Sequence, residues 1–331
     1  RFFETVGMVV TEDGWWISHY LPGHILLLVI TSSIGAAWLL NPLAGAGSVY
    51  LLYRIALHIY GKATAILSTI LLIISPLFLI QQSSMMNHGT ALFFFFFSVW
   101  LSIKLPDSKR PLFTAAFIGL SVGMVFIMRP LTLAGLMVPF FIFGVWKIWP
   151  RLSRPVALPI ATIAAFLVII LLLLFYNSQT TGSPLVNAYK LEKYYLGYTE
   201  EFTPLHGISY SLNNLYSMNE WLLAFPSGSY LFIIGFILLA RYALYDVLFA
   251  AMIFSLSAAY AIYSYQDFWF GPRFLYEALP LLVLLSGRGI LVLCRLLGRC
   301  LHTSTPQRIK LALAPAALII FFSISFTYRK G

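Results

Sequence analysis

"VALPIATIAAFLVIILLLLFY", residues 156–176, runs for 21 residues without a charge. At a helical rise of about 1.5 Å per residue, such a run crosses the roughly 30 Å hydrocarbon core of a bilayer. Comparable runs recur along nearly all of the 331-residue chain, which is 60% hydrophobic and only 10% charged, with a mean hydropathy of +0.87. A soluble globular domain needs no such excess. The runs are too continuous and alternate too weakly for barrel strands. The expected fold class is therefore an all-α polytopic membrane protein.

Ten spans are expected, at about 41–60, 63–80, 90–104, 112–128, 131–147, 156–176, 229–241, 246–264, 274–293 and 310–327. Residues 25–40, "ILLLVITSSIGAAWLL", are apolar but broken by Thr-Ser-Ser and Gly and end on Asn41-Pro42, so they read as an interfacial or re-entrant helix. Charge supports this division. With Arg54 and Lys62 inside, 14 of the 21 basic residues fall on the inner side, whereas nine of the 11 acids fall outside. A full span at 25–40 breaks that alternation. The expected organisation is 1–40 as the end of a first outer loop with its interfacial helix, 41–176 as membrane helices, 177–228 as a long outer loop, and 229–331 as C-terminal membrane helices. The Tyr- and Trp-rich loop 177–228 is expected to form a folded cap on the bilayer surface.

The net charge of +10 comes from scattered basic residues that form no stripe, so it reads as membrane topology, with no nucleic-acid partner. Cys294 and Cys300 form no metal pattern and are expected to be reduced. "GLSVG", 119–123, has the spacing of a nucleophile elbow but lies inside an apolar helix, where the same glycines form a G-x-x-x-G packing step. Soluble nucleotide chemistry has no motif here.

The candidate chemistry gathers in the outer segments. His19 and His24 flank a Pro-Gly turn in "SHYLPGHILLL", either as interfacial anchors or as groups facing a bound head group. Asn87 and His88 stand at a helix mouth, where amides favour anions, or in a solvated loop. Histidines on separate loops leave a shared divalent metal open as an option, although no ligand set is fixed. Arg129 is either a snorkelling arginine or a site cation. In "YQDFWFGPRFLYEALP", 265–280, Glu277 follows Arg273 at i+4 on one helical face, with Asp267 nearby and Tyr265 as an interfacial aromatic. An ion pair explains the Arg273–Glu277 spacing, and so does an arginine fork on a phosphate.

Taken in order, "HYLPGHILLL", "NPLAGAGSVYLLYRIALHIYGKATAIL", "SPLFLIQQSSMMNHGTALFFFF", "MRPLT", "FYNSQTTGSPL", "LNNLYSMNEWLLAFP" and "FGPRFLYEALPLLVLLSGRG" resemble bacterial GT-C polytopic glycosyltransferases, relatives of the protein O-mannosyltransferases and the lipid A aminoarabinose transferase. The resemblance implies a bacterial inner-membrane enzyme. It would move a sugar from a polyprenyl-phosphate carrier to an acceptor on the periplasmic side, with membrane lipids around it. The family's catalytic acid follows a first membrane helix, which places it upstream of Arg1; Glu4, Glu12 and Asp13 are stand-ins. His19 matches the family's basic residue before the interfacial helix, and Arg273 its arginine near the carrier phosphate. Asn87-His88 departs from the acid common in the second outer loop. The rival reading is a non-catalytic partner subunit, or a transporter or flippase of lipid-linked sugars.

Overall fold

The structure is a computed structural model that describes residues 8–10, 14, 16–190, 203–224, 228–263 and 270–300. Glu4, Glu12, Asp13, Tyr265, Asp267 and the expected span 310–327 lie outside them. Among the described residues twelve α-helices follow one another: α1 (Pro22–Ser32), α2 (Leu40–Tyr60), α3 (Lys62–Ile74), α4 (Pro76–Ser83), α5 (His88–Lys104), α6 (Pro111–Phe126), α7 (Pro130–Phe143), α8 (Ala157–Thr181), α9 (Pro204–Leu223), α10 (Ser229–Leu239), α11 (Leu244–Ala261) and α12 (Leu279–Cys300). Proline opens five of them, where its missing N–H costs nothing and its fixed φ suits the first turn. Glycine at positive φ ends others: Gly61 (φ 87°) after α2 and Gly182 (φ 76°) after α8.

Helices coincide with nine of the ten expected spans. Among the described residues five segments are long and apolar enough to cross a membrane, or six if the bent pair α3–α4 counts as one. That bend corrects the straight span expected at 63–80. Pro76 drives Ser75 to an extended conformation (φ −66°, ψ 121°), and the chain turns by 60°. The break is tolerated because Ser75 is fully buried, inside protein rather than lipid. Residues 25–40 do break, as α1 and a 3-10 turn Ala37–Leu39, and α1 is too short to span.

Two further expectations change. The chain is not wholly α: Met8–Val10 and Trp16–Ser18 pair antiparallel, with Val9 opposite Ile17. The long outer segment begins later than residue 177, because α8 runs on to Thr181, and it contains α9, which is more than a surface cap. Met218, Leu222 and Leu223 of α9 are fully buried and join the core.

The core lies among α2, α3, α5, α7, α11 and α12, around Leu52, Ile55, Phe95, Phe96, Phe249 and Val283. In lipid the driving force between helices is close packing, so small residues mark the seams. A Cβ on Gly119 would lie 2.0 Å from the Thr162 carbonyl oxygen, and one on Gly123 2.8 Å from Ile169. The 119–123 step is therefore the α6–α8 seam, not a nucleophile elbow. Gly289 does the same for α12 against Phe232 of α10.

Candidate functional site

The outer segments that the sequence sets on one side converge at one end of the bundle. The start of α1, the α4–α5 tip, the α6–α7 turn, the end of α11 and a 3-10 turn at Arg273–Ala278 meet there. Two backbone features fix the frame. Pro22-Gly23 does not form the expected turn but opens α1, and Gly23 N–H donates to the Ile127 carbonyl at 3.0 Å. A side chain at 23 would press on that carbonyl, which is why glycine stands there. The α3–α4 bend carries Gln81 and Gln82 beneath residues 270–276. Gln82 Nε2 donates to the Tyr276 hydroxyl at 2.6 Å, and Gln81 Nε2 to the Phe270 carbonyl at 3.2 Å.

Glu277 is the centre. It is fully buried, and its carboxylate lies 3.0 Å from Arg129 Nε and 3.3 Å from His88 Nδ1. Arg129 is the ionic partner and His88 a polar neighbour; neither contact has hydrogen-bond alignment, so both carboxylate oxygens keep unused lone pairs. The Arg273–Glu277 spacing has two readings, and the carboxylate's described partners do not include Arg273. A 3-10 turn has about three residues per turn, which rotates i+4 a third of a turn away from i. Glu277 points inward to Arg129, while the half-buried Arg273 lies with Nη1 3.5 Å from Met86 Sδ and its guanidinium 5.3 Å from the Phe274 ring.

Arg129 is neither a snorkelling cation nor available as a phosphate fork. It donates to Thr132 Oγ1 (3.0 Å), Asn87 Oδ1 (3.4 Å), His88 Nε2 (3.1 Å) and the Tyr260 hydroxyl (2.7 Å). Arginine is always a donor, so His88 Nε2 accepts, and the neutral ring's proton sits on Nδ1 facing Glu277. Asn87 Nδ2 also donates to the Met128 carbonyl, at 3.2 Å. Asn87 and His88 are thus internal members of the cluster, not a solvated loop.

His24 Nε2 donates to the Met85 carbonyl at 2.9 Å, and Nδ1 accepts from Thr90 at 2.9 Å. Both ring nitrogens are engaged inside the protein, and burial lowers the His24 pKa below its usual value against the raising effect of the Met85 carbonyl. His19 is buried beside Tyr20 (centroids 3.9 Å) and Tyr189 (5.1 Å), and burial lowers its pKa too. Burial pushes the Tyr189 hydroxyl above its ordinary range.

Among the described residues no three His, Cys, Asp or Glu side chains converge to hold a metal. His24 has no ring lone pair to spare, and His88 Nε2 faces a guanidinium. Those residues do not fit a metal site. In the described cluster Arg129 pairs with Glu277, and the Arg273 guanidinium lies nearer the rim. Gln82, Thr90, Thr132, Tyr260 and Tyr276 were not candidates from the sequence; Thr132 and Tyr276 lie in or beside "MRPLT" and "GPRF", Gln82 and Thr90 flank Asn87-His88, and Tyr260 had no signal.

The arrangement has counterparts among solved proteins. The crystal structure of ArnT from Cupriavidus metallidurans bound to undecaprenyl phosphate matches 91% of this chain and 53% of its own, at a TM-score of 0.61 and 12% identity. Its apo state matches 86% of this chain and 55% of its own, at 0.59 and 11%. The fold is GT-C-like. The archaeal oligosaccharyltransferase AglB from Archaeoglobus fulgidus, in complex with an inhibitory peptide and a dolichol-phosphate, matches 98% of this chain and 49% of its own, at 0.51 and 14%. This chain spans about half the length of these proteins. No family model and no curated protein matches it.

Proposed function

We propose that this chain is a membrane glycosyltransferase, or the membrane core of one, that takes a sugar from a polyprenyl-phosphate carrier at the outer end of its helix bundle. One observation carries the reading: a GT-C-like bundle brings buried Glu277, Arg129 and His88 together at its outer end, with the half-buried Arg273 at the rim. Two of the proteins that share the fold were solved with a polyprenyl or dolichol phosphate.

Arg273 would bind the carrier phosphate. When the sugar leaves, negative charge grows on that phosphate, and a fixed guanidinium in a low-dielectric site stabilises it. Glu277, Arg129 and His88 are positioning residues. They hold the 273–278 turn against the α5 mouth, so that Arg273 is presented at a set height. His19, His24 and Asn87 shape the wall beside it. A carboxylate acting as general base toward the acceptor hydroxyl completes the reaction, and Glu4, Glu12 and Asp13 remain its stand-ins. The polyprenyl tail stays in lipid; the charge asymmetry supports an active face on the outer side, and the likeness in fold supports a multi-pass inner-membrane location with that face periplasmic.

The test measures transfer of labelled sugar from polyprenyl-phosphate donors by membranes carrying wild type or Arg273→Ala. A loss of about 100-fold or more is expected, the usual cost of removing one donor to a developing charge. Full activity in the variant overturns the role of Arg273. Carrier retention without any transfer by wild type favours the rival, a non-catalytic partner subunit or a transporter of lipid-linked sugars.

A further inference from the structure

At the opposite end of the bundle α2 and α5 set Arg54, Lys104, His58 and Tyr50 around Trp100. Helices α2 and α5 both start at the candidate site and run away from it. Lys104, 16 residues beyond His88, is therefore about 24 Å along the axis. There Arg54 and Lys104 lie over the same Trp100 ring, at 4.9 and 5.1 Å from its centroid. Two cations on one ring repel each other, yet among the described residues neither has an acidic partner. The acid that acts on this corner, Asp107, is 4.0 Å from Arg151.

Each neighbouring polar group also offers a hydrogen. Lys104 Nζ stands 3.3 Å from His58 Nδ1; the ammonium can only donate, so His58 accepts there and carries its proton on Nε2. Arg54 Nη1 donates to the Tyr50 hydroxyl, which leaves that O–H free to donate onward. Exposed N–H and O–H groups converging beside two cations suit an oxyanion.

What leads to the cluster is apolar. On α5, Phe93 and Phe97 stack at 5.9 Å in line with Trp100, at the i, i+4, i+7 spacing of one helix face. On α2, Leu43, Tyr50 and Leu57 recur every seven residues, all exposed. Phe93 lies where a Cβ on Gly47 would be, so the two helices close on each other above this strip.

We propose that Arg54, Lys104, His58 and Tyr50 bind the phosphate of an anionic membrane phospholipid at the inner face, with an acyl chain along Phe93, Phe97 and Trp100. Basic groups between membrane helices on this side recognise anionic head groups in this way. The site is distinct from the carrier site and independent of the transfer reaction.

Native mass spectrometry of the purified full chain, released from micelles with dioleoyl phosphatidylglycerol or phosphatidylcholine, tests it. Wild type should retain phosphatidylglycerol about thirtyfold better than Arg54→Gln/Lys104→Gln, the share of two basic residues at a membrane surface. Phosphatidylcholine retention should match in both. Equal phosphatidylglycerol retention by the variant overturns the proposal. Two measurements need only wild type. Raising salt from about 50 to 500 mM must erase the lipid preference, and inorganic phosphate at millimolar levels must not displace the lipid. A preference that survives salt refutes a charge-built site, and full displacement by phosphate refutes a lipid site.

Discussion

Glu277→Gln keeps the shape of the side chain at the centre of the cluster but removes the counter-charge of Arg129. Both groups are out of water: Glu277 is fully buried and the Arg129 side chain is 9% exposed. Stranding one charge of such a pair costs about 3–5 kcal/mol, mainly because the other is left desolvated and unopposed. Arg129→Met strands Glu277 with only the neutral His88 beside it, at a similar cost. If the two costs were independent, the double variant would lose about 6–10 kcal/mol. With both charges gone, however, the loss is that of the acceptors Arg129 leaves behind, Asn87 Oδ1 and His88 Nε2, about 3 kcal/mol, while Thr132 and Tyr260 still bond each other. The double-mutant cycle should therefore show a coupling of about 3 kcal/mol or more. The assay is thermal unfolding of the purified chain in detergent, followed by tryptophan fluorescence. At about 2 °C per kcal/mol for a chain of this size, each single variant should melt roughly 6–10 °C below wild type, and the double variant no lower than the worse single. Additive losses would refute the pairing of Glu277 with Arg129.

Two more outcomes follow from the packing and the histidines. Gly119→Ala must push the Thr162 carbonyl away from a Cβ built 2.0 Å from it, so it should destabilise by about 1–3 kcal/mol, whereas Gly144→Ala, which meets nothing within 4 Å, should be neutral or gain up to about 1 kcal/mol. Equal effects would dissolve the α6–α8 seam. Burial lowers the His24 and His19 pKa values in the folded chain, so below the unfolded value of 6.5 the unfolded chain binds more protons. Stability is then fully present above that value and is lost as pH falls beneath it. The melting midpoint should drop between about pH 7.5 and 5, and part of the drop should be absent in His24→Gln; an identical drop in that variant removes His24 from the account.

The helices were legible because a membrane demands long charge-free runs, and residues such as 156–176 offer few alternatives. Even the break at 25–40 could be read, since Thr-Ser-Ser and Gly interrupt it. The bend at Ser75-Pro76 was written just as plainly; hydropathy averaged over 63–80 hid it. The site divides in the same way. That the outer segments supply it follows from counting charges. Which arginine pairs with Glu277 does not, because the answer depends on whether 273–278 winds with three or 3.6 residues per turn, and nothing in "RFLYEA" states that. His24 and Arg129 looked accessible for a related reason: sequence shows a polar residue at a boundary but not the carbonyls and hydroxyls, such as Met85 O and the Tyr260 hydroxyl, that arrive from elsewhere to satisfy it.

Helix α8 meets the rest of the protein along the Gly119–Gly123 seam, and only 11% of its membrane window is buried. Selection therefore acts on it in two unequal ways. Thr162, Ala165 and Ile169, which face the glycines, are held by shape. The remaining Leu, Ile and Val positions are held only by oiliness, and any of the three serves a lipid chain equally well. Among relatives, α8 should be the helix whose letters drift fastest while its hydropathy stands still, so aligning it by residue identity will fail where aligning it by that one seam succeeds.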